Sequence, residues 1–172
     1  MEVKNQNSSG IGCMIVTILI VGFVVNRSCE GVQRYKSNKA REELAAYREP
    51  FPESGFVKTY TYLPRRSPLK ISTSAEGNFL VKLVDSRSGN PVQEIYIREG
   101  DQVTVKVPDG TYGVRYACGR EWYGRKRLFG PDTSCSRADQ LLTFSRGQGY
   151  EVSLFKSPGG NLRTQSIDVT DF

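Results

Sequence analysis

The sequence predicts a mainly β protein, a small antiparallel β-sandwich preceded by an N-terminal transmembrane helix and a helical stalk. Three features support this prediction. An uninterrupted apolar run lies near the N-terminus, a segment rich in helix-forming residues follows it, and a period-two alternation of apolar and polar residues continues from there towards the C-terminus. The 172 residues are enough for one domain of ordinary size plus an extension.

The apolar run covers residues 10–25, carries no charge and consists largely of Ile, Val, Leu and Phe. As a helix it would rise about 24 Å, slightly less than a hydrocarbon core of ~30 Å. We therefore predict a transmembrane helix over 10–26, after a polar N-terminus over 1–9. A cleaved signal peptide is the first alternative, but the start is only weakly basic and no A-x-A site follows. Lipid modification of Cys29 is the second, and Arg27 stands where such a site needs a small residue.

Residues 27–54 are predicted to form a helical stalk and a proline-rich linker. Ala, Glu, Lys, Arg and Leu favour the helix, and Pro50 and Pro52 end it. The stalk's apolar stripe is thin, so a solvated spacer is the plain interpretation. A weak self-association of two copies through span and stalk is the alternative.

The orientation in the membrane stays open at this point. Basic residues are more frequent just after the apolar run than before it, and the positive-inside rule then favours a cytoplasmic C-terminal domain. Two cysteines in the domain that could form a disulfide favour an oxidising compartment instead.

Residues 55–172 are predicted to be the β-sandwich domain. Alternating runs are separated by turn residues, at near-regular spacing and without βα alternation, which indicates an antiparallel sandwich or barrel. Only Ser136 to Gln140 suggests a short helical turn. The runs lie at 69–73, 79–84, 92–98, 103–107, 112–116, 141–144, 150–155 and 162–167.

The stretch from Lys82 to Cys118 resembles the transthyretin-like or carboxypeptidase-regulatory class of small β-sandwich modules. More specifically, residues 69–172 resemble a group of uncharacterised bacterial proteins that carry this domain behind a signal sequence or a single membrane span. The resemblance implies an architecture and an extracytoplasmic domain at the cytoplasmic membrane, and it implies no mechanism. It depends on the motifs Val81-Lys82-Leu83-Val84-Asp85, Val107-Pro108-x-Gly110-Thr111-Tyr112, Tyr116-Ala117-x-Gly119, Trp122-Tyr123-Gly124, Leu128-Phe129-Gly130-Pro131-x-Thr133, Ser136-x-Ala138-Asp139 and Asn161-Leu162-Arg163.

The segment from Gly119 to Gly130 interleaves aromatic and basic residues and contains the only Trp of the chain. Such a mixture can stack on and neutralise an anionic ligand such as nucleic acid, a phosphate-bearing polymer or a lipid headgroup. In the structural alternative, the rings pack in or beside the core and the bases form a solvated face. The candidate ligand-binding residues are Arg120, Trp122, Tyr123, Arg125, Lys126 and Arg127.

Cys118 and Cys135 bracket this segment and are a candidate disulfide. A bridge closing this loop would stabilise the domain by about 3 kcal/mol in the loop-entropy model. The alternative is two free thiols that never meet, and two cysteines alone are too few ligands for a metal site.

The chain has no histidine, which excludes Ser-His-Asp triads, Cys-His pairs and histidine-containing zinc sites. The acidic residues Glu121, Asp132 and Asp139 have no spacing that requires catalysis, so we predict no catalytic residues, no metal and no cofactor. The net charge is +6, and about +5 falls on the domain. We expect a non-enzymatic, membrane-anchored envelope module that binds a partner protein or an anionic polymer. The alternative is a cytoplasm-facing binder of nucleic acid or anionic phospholipid through the Arg120–Arg127 segment.

Overall fold

The computed structural model describes Tyr35, residues 38–154 and residues 163–172. The predicted membrane span over 10–26 and much of the predicted stalk lie outside these residues and stay predictions. Across the described ranges, no helix has both the length and the apolar character needed to cross a membrane.

The chain divides into two compact units, Met1–Glu43 and Leu44–Phe172. In the first unit, residues 38–43 are α-helical. The second unit contains every strand described below, and it begins upstream of the boundary predicted at residue 55. A 3₁₀ turn at Ala45–Tyr47 lies near its start.

Ten strands form two sheets within the described part of the second unit. The larger sheet has the order β1-β4-β3-β6-β7-β10, with β8 also paired to β6, and the smaller one has the order β5-β2-β9. All neighbours are antiparallel except β2 and β9, which are parallel. The strands are β1 (Val57–Thr59), β2 (Arg65–Thr73), β3 (Asn78–Asp85), β4 (Pro91–Ile97), β5 (Gln102–Pro108), β6 (Gly110–Gly119), β7 (Ser134–Ala138), β8 (Leu142–Phe144), β9 (Tyr150–Leu154) and β10 (Thr164–Ile167).

The main core lies between the two sheets and follows the alternation seen in the sequence. In β5, for example, Val103, Val105 and Val107 are buried, whereas Thr104 and Lys106 are exposed. Buried residues of β2, β5 and β9 meet those of β3, β4 and β6 in one cluster. The predicted mainly β class with antiparallel sheets is therefore confirmed, with one parallel pair added.

A second, smaller core covers the opposite face of the larger sheet. Leu80, Tyr96, Ala117 and Cys135 point to this face and pack with Trp122, Leu128 and Phe129. Phe51, from the segment before β1, packs against the same cluster. The contact is close, because a Cβ added at Gly119 would overlap the Cβ of Phe129. Segments without regular strand structure therefore form a third layer on the sandwich.

The short helical turn predicted over Ser136–Gln140 is wrong. Residues 134–138 form β7, which pairs with β6 on one side and with β10 on the other. Two neighbouring strands satisfy its backbone N–H and C=O groups, and this outweighs the weak helical preference of a five-residue stretch.

The predicted disulfide is not formed, because the two cysteines lie on opposite faces of one sheet. In the register of β6 and β7, Cys135 is opposite Ala117, and Cys118 is opposite Ser134. Cys118 packs against the main core and Cys135 belongs to the second core, and both are free thiols. Successive side chains of a strand point to opposite faces, so this register separates the two sulfur atoms.

Candidate ligand-binding surface

The two aromatic residues among the predicted ligand-binding residues are inside the fold, and Trp122 belongs to the second core. Trp122 and Tyr123 are buried. The Trp122 ring meets Phe129 at 5.1 Å and Phe51 at 5.3 Å between ring centroids, both edge to face. Such pairs stabilise beyond their buried area. Neither ring is placed to stack on a ligand. Both fit the structural alternative of the sequence analysis, in which the rings pack in or beside the core.

The basic residues of the same segment lie on a tight turn that projects from this core. The backbone N–H groups of Arg127 and Leu128 donate to the carbonyl of Gly124, at 3.1 and 2.8 Å. Gly124 has φ +81°, a conformation that a glycine adopts without strain. Buried Tyr123 and Leu128 hold the two ends of the turn. Arg125, Lys126 and Arg127 are thereby exposed together at its tip.

Two tyrosines that the sequence analysis did not select lie beside these bases. The guanidinium carbon of Arg127 is 3.7 Å from the ring centroid of Tyr47. That of Arg125 is 5.4 Å from the ring centroid of Tyr60. Both rings are partly exposed. Cations at these distances are attracted to the ring face. The cation–tyrosine surface, as we name it, consists of Tyr47, Tyr60, Arg125, Lys126 and Arg127.

Arg120 does not belong to this surface. It lies at the other end of the segment, where its backbone carbonyl accepts a hydrogen bond from the Asn78 side chain at 3.2 Å. It lines an open depression of about 400 Å³ that also contains Arg48 and Glu121. The guanidinium of Arg48 and the carboxylate of Glu121 form an ion pair at 3.3 Å. The depression thus presents both signs of charge.

A buried carboxylate fixes the position of Arg125. Glu94 of β4 is 1% exposed. The guanidinium of Arg125 donates to both of its oxygens, at 2.7 and 2.8 Å. The Tyr60 hydroxyl donates to it at 2.8 Å, and the ammonium of Lys82 is 3.9 Å away. Lys82 is the cross-strand partner of Glu94 in β3. A bidentate pair of this kind orients the guanidinium as well as neutralising the carboxylate.

The ionisation of these groups follows from their packing. Burial raises the pKa of Glu94, but hydrogen bonds from Arg125 and Tyr60 and the charges of Arg125 and Lys82 outweigh it, so the pKa lies below its ordinary value. The pKa of Tyr60 is raised by burial and by the bond to Glu94. The pKa of Arg125 is raised, chiefly by its hydrogen bonds to Glu94. The group is therefore held as a carboxylate, a guanidinium and a neutral phenol.

Cys118 and Cys135 lack the character of reactive nucleophiles. Burial raises the pKa of Cys118 to about 11 and also raises the pKa of Cys135. The thiolate is the nucleophilic form, so these side chains behave as small apolar groups at neutral pH.

The arrangement provides guanidinium and ammonium N–H donors and a positive field on one turn, with two tyrosine rings beside it. These are the groups that bind carboxylate or phosphate. Local sequence patterns contain a weak signal for these tyrosines, since Tyr47 is an aromatic residue in a polar stretch and Tyr60 lies between aromatic and basic residues. Their proximity to the turn depends on folding, because residues 47, 60 and 125 are far apart in the chain.

The chain was compared with protein-family models, with curated proteins and with solved structures, and none of the three comparisons finds a match.

Proposed function

We propose that this protein is a non-enzymatic, single-pass module of the bacterial cytoplasmic membrane. Its β-sandwich domain binds a partner protein with an acidic surface, or an anionic polymer, on the extracytoplasmic side. The observation that supports this proposal is the cation–tyrosine surface, in which three exposed bases stand together on a turn that is fixed at both ends.

The way in which the arginines are held is compatible with ligand binding. Stacking on an aromatic ring uses the flat face of a guanidinium and leaves its in-plane N–H groups for an anion. The guanidinium carbon of Arg127 lies over the Tyr47 ring at 3.7 Å from its centroid, a distance that suits such stacking. Arg125 is committed to Glu94, so it contributes position and field more than free donors. Lys126 and Arg127 are therefore the expected ligand contacts.

The alternative is a cytoplasm-facing domain that binds nucleic acid or anionic phospholipid. The basic residues that follow the apolar run favour this orientation through the positive-inside rule. An excess of about five positive charges over the whole domain is small for a nucleic-acid binder, which favours the first proposal.

Binding of full-length protein to fluorescent polyphosphate tests the proposal, with poly-glutamate as a competitor that represents an acidic protein surface. One variant combines Lys126→Ser and Arg127→Ser, and it leaves the structural Arg125 in place. The matched control combines Arg87→Ser and Arg146→Ser, which removes the same charge from other exposed positions.

We expect the first variant to bind about tenfold more weakly, and the slope of log affinity against log salt to fall by about one per lost contact. The control variant should stay close to the wild type. Equal losses in the two variants, or binding that does not respond to salt, would contradict a local anion site.

A further inference from the structure

A second surface of the domain combines exposed apolar side chains with positive charge. We define the edge segment as residues 56–66, with the sequence FVKTYTYLPRR, which has three bases and no acid. Phe56 is 56% exposed, Leu63 is 57% exposed and Tyr62 is fully exposed. Large apolar side chains scattered singly over a surface are ordinary, but three within eight residues form a concentration that invites a partner.

The position of the edge segment in the fold explains this exposure. Strand β1 is the outermost strand of the larger sheet and pairs with β4 through Val57, Lys58 and Thr59. Val57 packs against the main core, and the chain then runs outside regular strand structure until β2 begins. Arg65 and Arg66 open β2, and both are exposed. The segment thus links the outermost strand of the larger sheet to the start of β2 in the smaller sheet, and it carries Phe56, Tyr62 and Leu63 together with Lys58 and the two arginines.

We infer that the edge segment lies on the anionic headgroup surface of the membrane that anchors the chain. This inference rests on the anchor of the proposed function and concerns a surface that adjoins the polymer-binding turn, with Tyr60 between the two. Aromatic rings are favoured at the level of lipid headgroups, and lysines and arginines near the surface are attracted to anionic lipids. A bilayer interface supplies apolar contact and negative charge side by side, which is the combination that this edge complements.

The charges of the edge segment argue against the other occupants. A second copy seated on the same edge would bring three bases against three bases with no acid between them, and like charges in contact are destabilising. A soluble polyanion would neutralise the bases and leave Tyr62 and Leu63 in water. Only a surface that is both anionic and apolar satisfies both halves of the segment.

The length of the predicted tether is compatible with this contact. Residues 27–43 separate the predicted span from the compact unit that starts at Leu44. As a helix these residues would reach about 25 Å, and less if the chain is bent. Tethering at such a distance raises the effective concentration of the edge segment at the bilayer, so weak contacts suffice.

A tryptophan placed in the edge segment tests this contact in the full-length protein. The reporter is Tyr62→Trp, and the control is Leu141→Trp, at an exposed position that lies just before β8. The native Trp122 is buried and its signal is subtracted with the wild type. Each protein is reconstituted into liposomes that contain lipids brominated near the headgroup, of phosphatidylcholine alone or of equal parts phosphatidylcholine and phosphatidylglycerol.

We expect the emission of the Tyr62→Trp reporter to be quenched at least twofold in the phosphatidylglycerol liposomes and much less in phosphatidylcholine. The Leu141→Trp control should stay unquenched in both. Adding Lys58→Ser, Arg65→Ser and Arg66→Ser to the reporter should abolish the quenching.

The remaining outcomes separate this inference from the proposed function. If the protein floats with liposomes but the reporter is not quenched, the edge contact is overturned while the anchor stands. If the protein does not float, the anchor and the edge contact both fail, whereas polyphosphate binding is measured independently. A blue shift without quenching that grows with protein concentration would assign the edge to a second copy and overturn the inference, as would equal quenching in both lipids.

Discussion

Glu94 binds side chains from several parts of the chain on the outer face of the larger sheet. A carboxylate this deeply buried is tolerated only when it is paired and hydrogen-bonded. Its partners come from three separate parts of the chain, namely Tyr60 after β1, Lys82 in β3 and Arg125 in the basic turn. The ion pair between Arg125 and Glu94 therefore joins the basic turn to strand β4.

Replacing Arg125 should destabilise the protein more than replacing its neighbour. Arg125→Ala leaves the buried carboxylate with Tyr60 and a distant Lys82, and we expect a loss of about 2 kcal/mol in the free energy of unfolding. Arg125→Lys should lie in between, since an ammonium cannot donate in the same bidentate way. Lys126→Ala is the control and should change stability by less than about 0.5 kcal/mol. Urea denaturation measures all three, and equal stability of the two alanine variants would contradict the role assigned to Glu94.

The pH dependence of stability should reveal the lowered pKa of Glu94. The ordinary pKa of a glutamate is 4.5, and the folded value lies below it, so the unfolded chain binds more protons between the two values. The stabilisation is complete above 4.5 and is lost as the pH falls through the folded pKa. We expect the free energy of unfolding to fall less steeply in Glu94→Gln than in the wild type between about pH 5 and about pH 3. Parallel curves for the two proteins would show that Glu94 contributes nothing to the acid response.

The segments of the third layer carry the cation–tyrosine surface, and aromatic packing in the second core holds them on the sheet. The segment before β1 contributes Phe51, whose ring lies within 6 Å of those of Tyr96, Trp122 and Phe129. The backbone N–H of Glu49 also donates to the carbonyl of Trp122 at 2.9 Å. The segment from Leu44 to Pro52 is therefore a structural part of the compact unit and supports the basic turn from one side.

Truncating Phe51 tests whether this segment is part of the folded unit. Phe51→Ala removes a partly buried ring from the second core, and we expect a loss of about 2 kcal/mol together with a red shift of the Trp122 emission as water reaches the indole. Leu63→Ala, at an exposed position, is the control and should change neither quantity. An unchanged Trp122 spectrum in Phe51→Ala would mean that the third layer forms without this segment.

Two apolar cores stabilise the sandwich as a whole, and no disulfide bond joins Cys118 to Cys135. The register of β6 and β7 separates Cys118 from Cys135 by the thickness of the sheet. A bridge would need this register to shift by one residue, which would move the inward side chains of β7 to the wrong face.

The melting temperature should therefore not depend on reductant. In a Cys13→Ser, Cys29→Ser background, only Cys118 and Cys135 remain, and we expect the same melting temperature with and without dithiothreitol. A bridge over this loop would contribute about 3 kcal/mol, a shift of several degrees for a domain of this size. Both thiols should react with a thiol reagent in urea and only slowly in the folded protein. A reductant-dependent melting temperature would contradict the register.

Local patterns predicted a large part of the strand structure and little of the candidate site. The runs around Val103–Val107 and Phe79–Val84 alternate so regularly that strand and inward face follow from neighbouring residues alone. Strand β7 has no such alternation, since its residues are mostly small or polar. They form a strand through their pairing with β6 and β10, which no local pattern predicts. For the basic segment, the sequence identified the bases but not the exposed tyrosines that flank them, since Tyr47 and Tyr60 reach the turn only in the folded chain.

Composition and the pattern of residues two positions apart are enough to specify a mainly β domain, the places of its period-two strands and its positive charge. Long-range packing buries Trp122, brings Tyr47 and Tyr60 beside the basic turn, puts the two cysteines on opposite faces and pairs Glu94 with Arg125. These contacts join residues distant in the chain, and sheet order and register, rather than any local pattern, determine which of them meet.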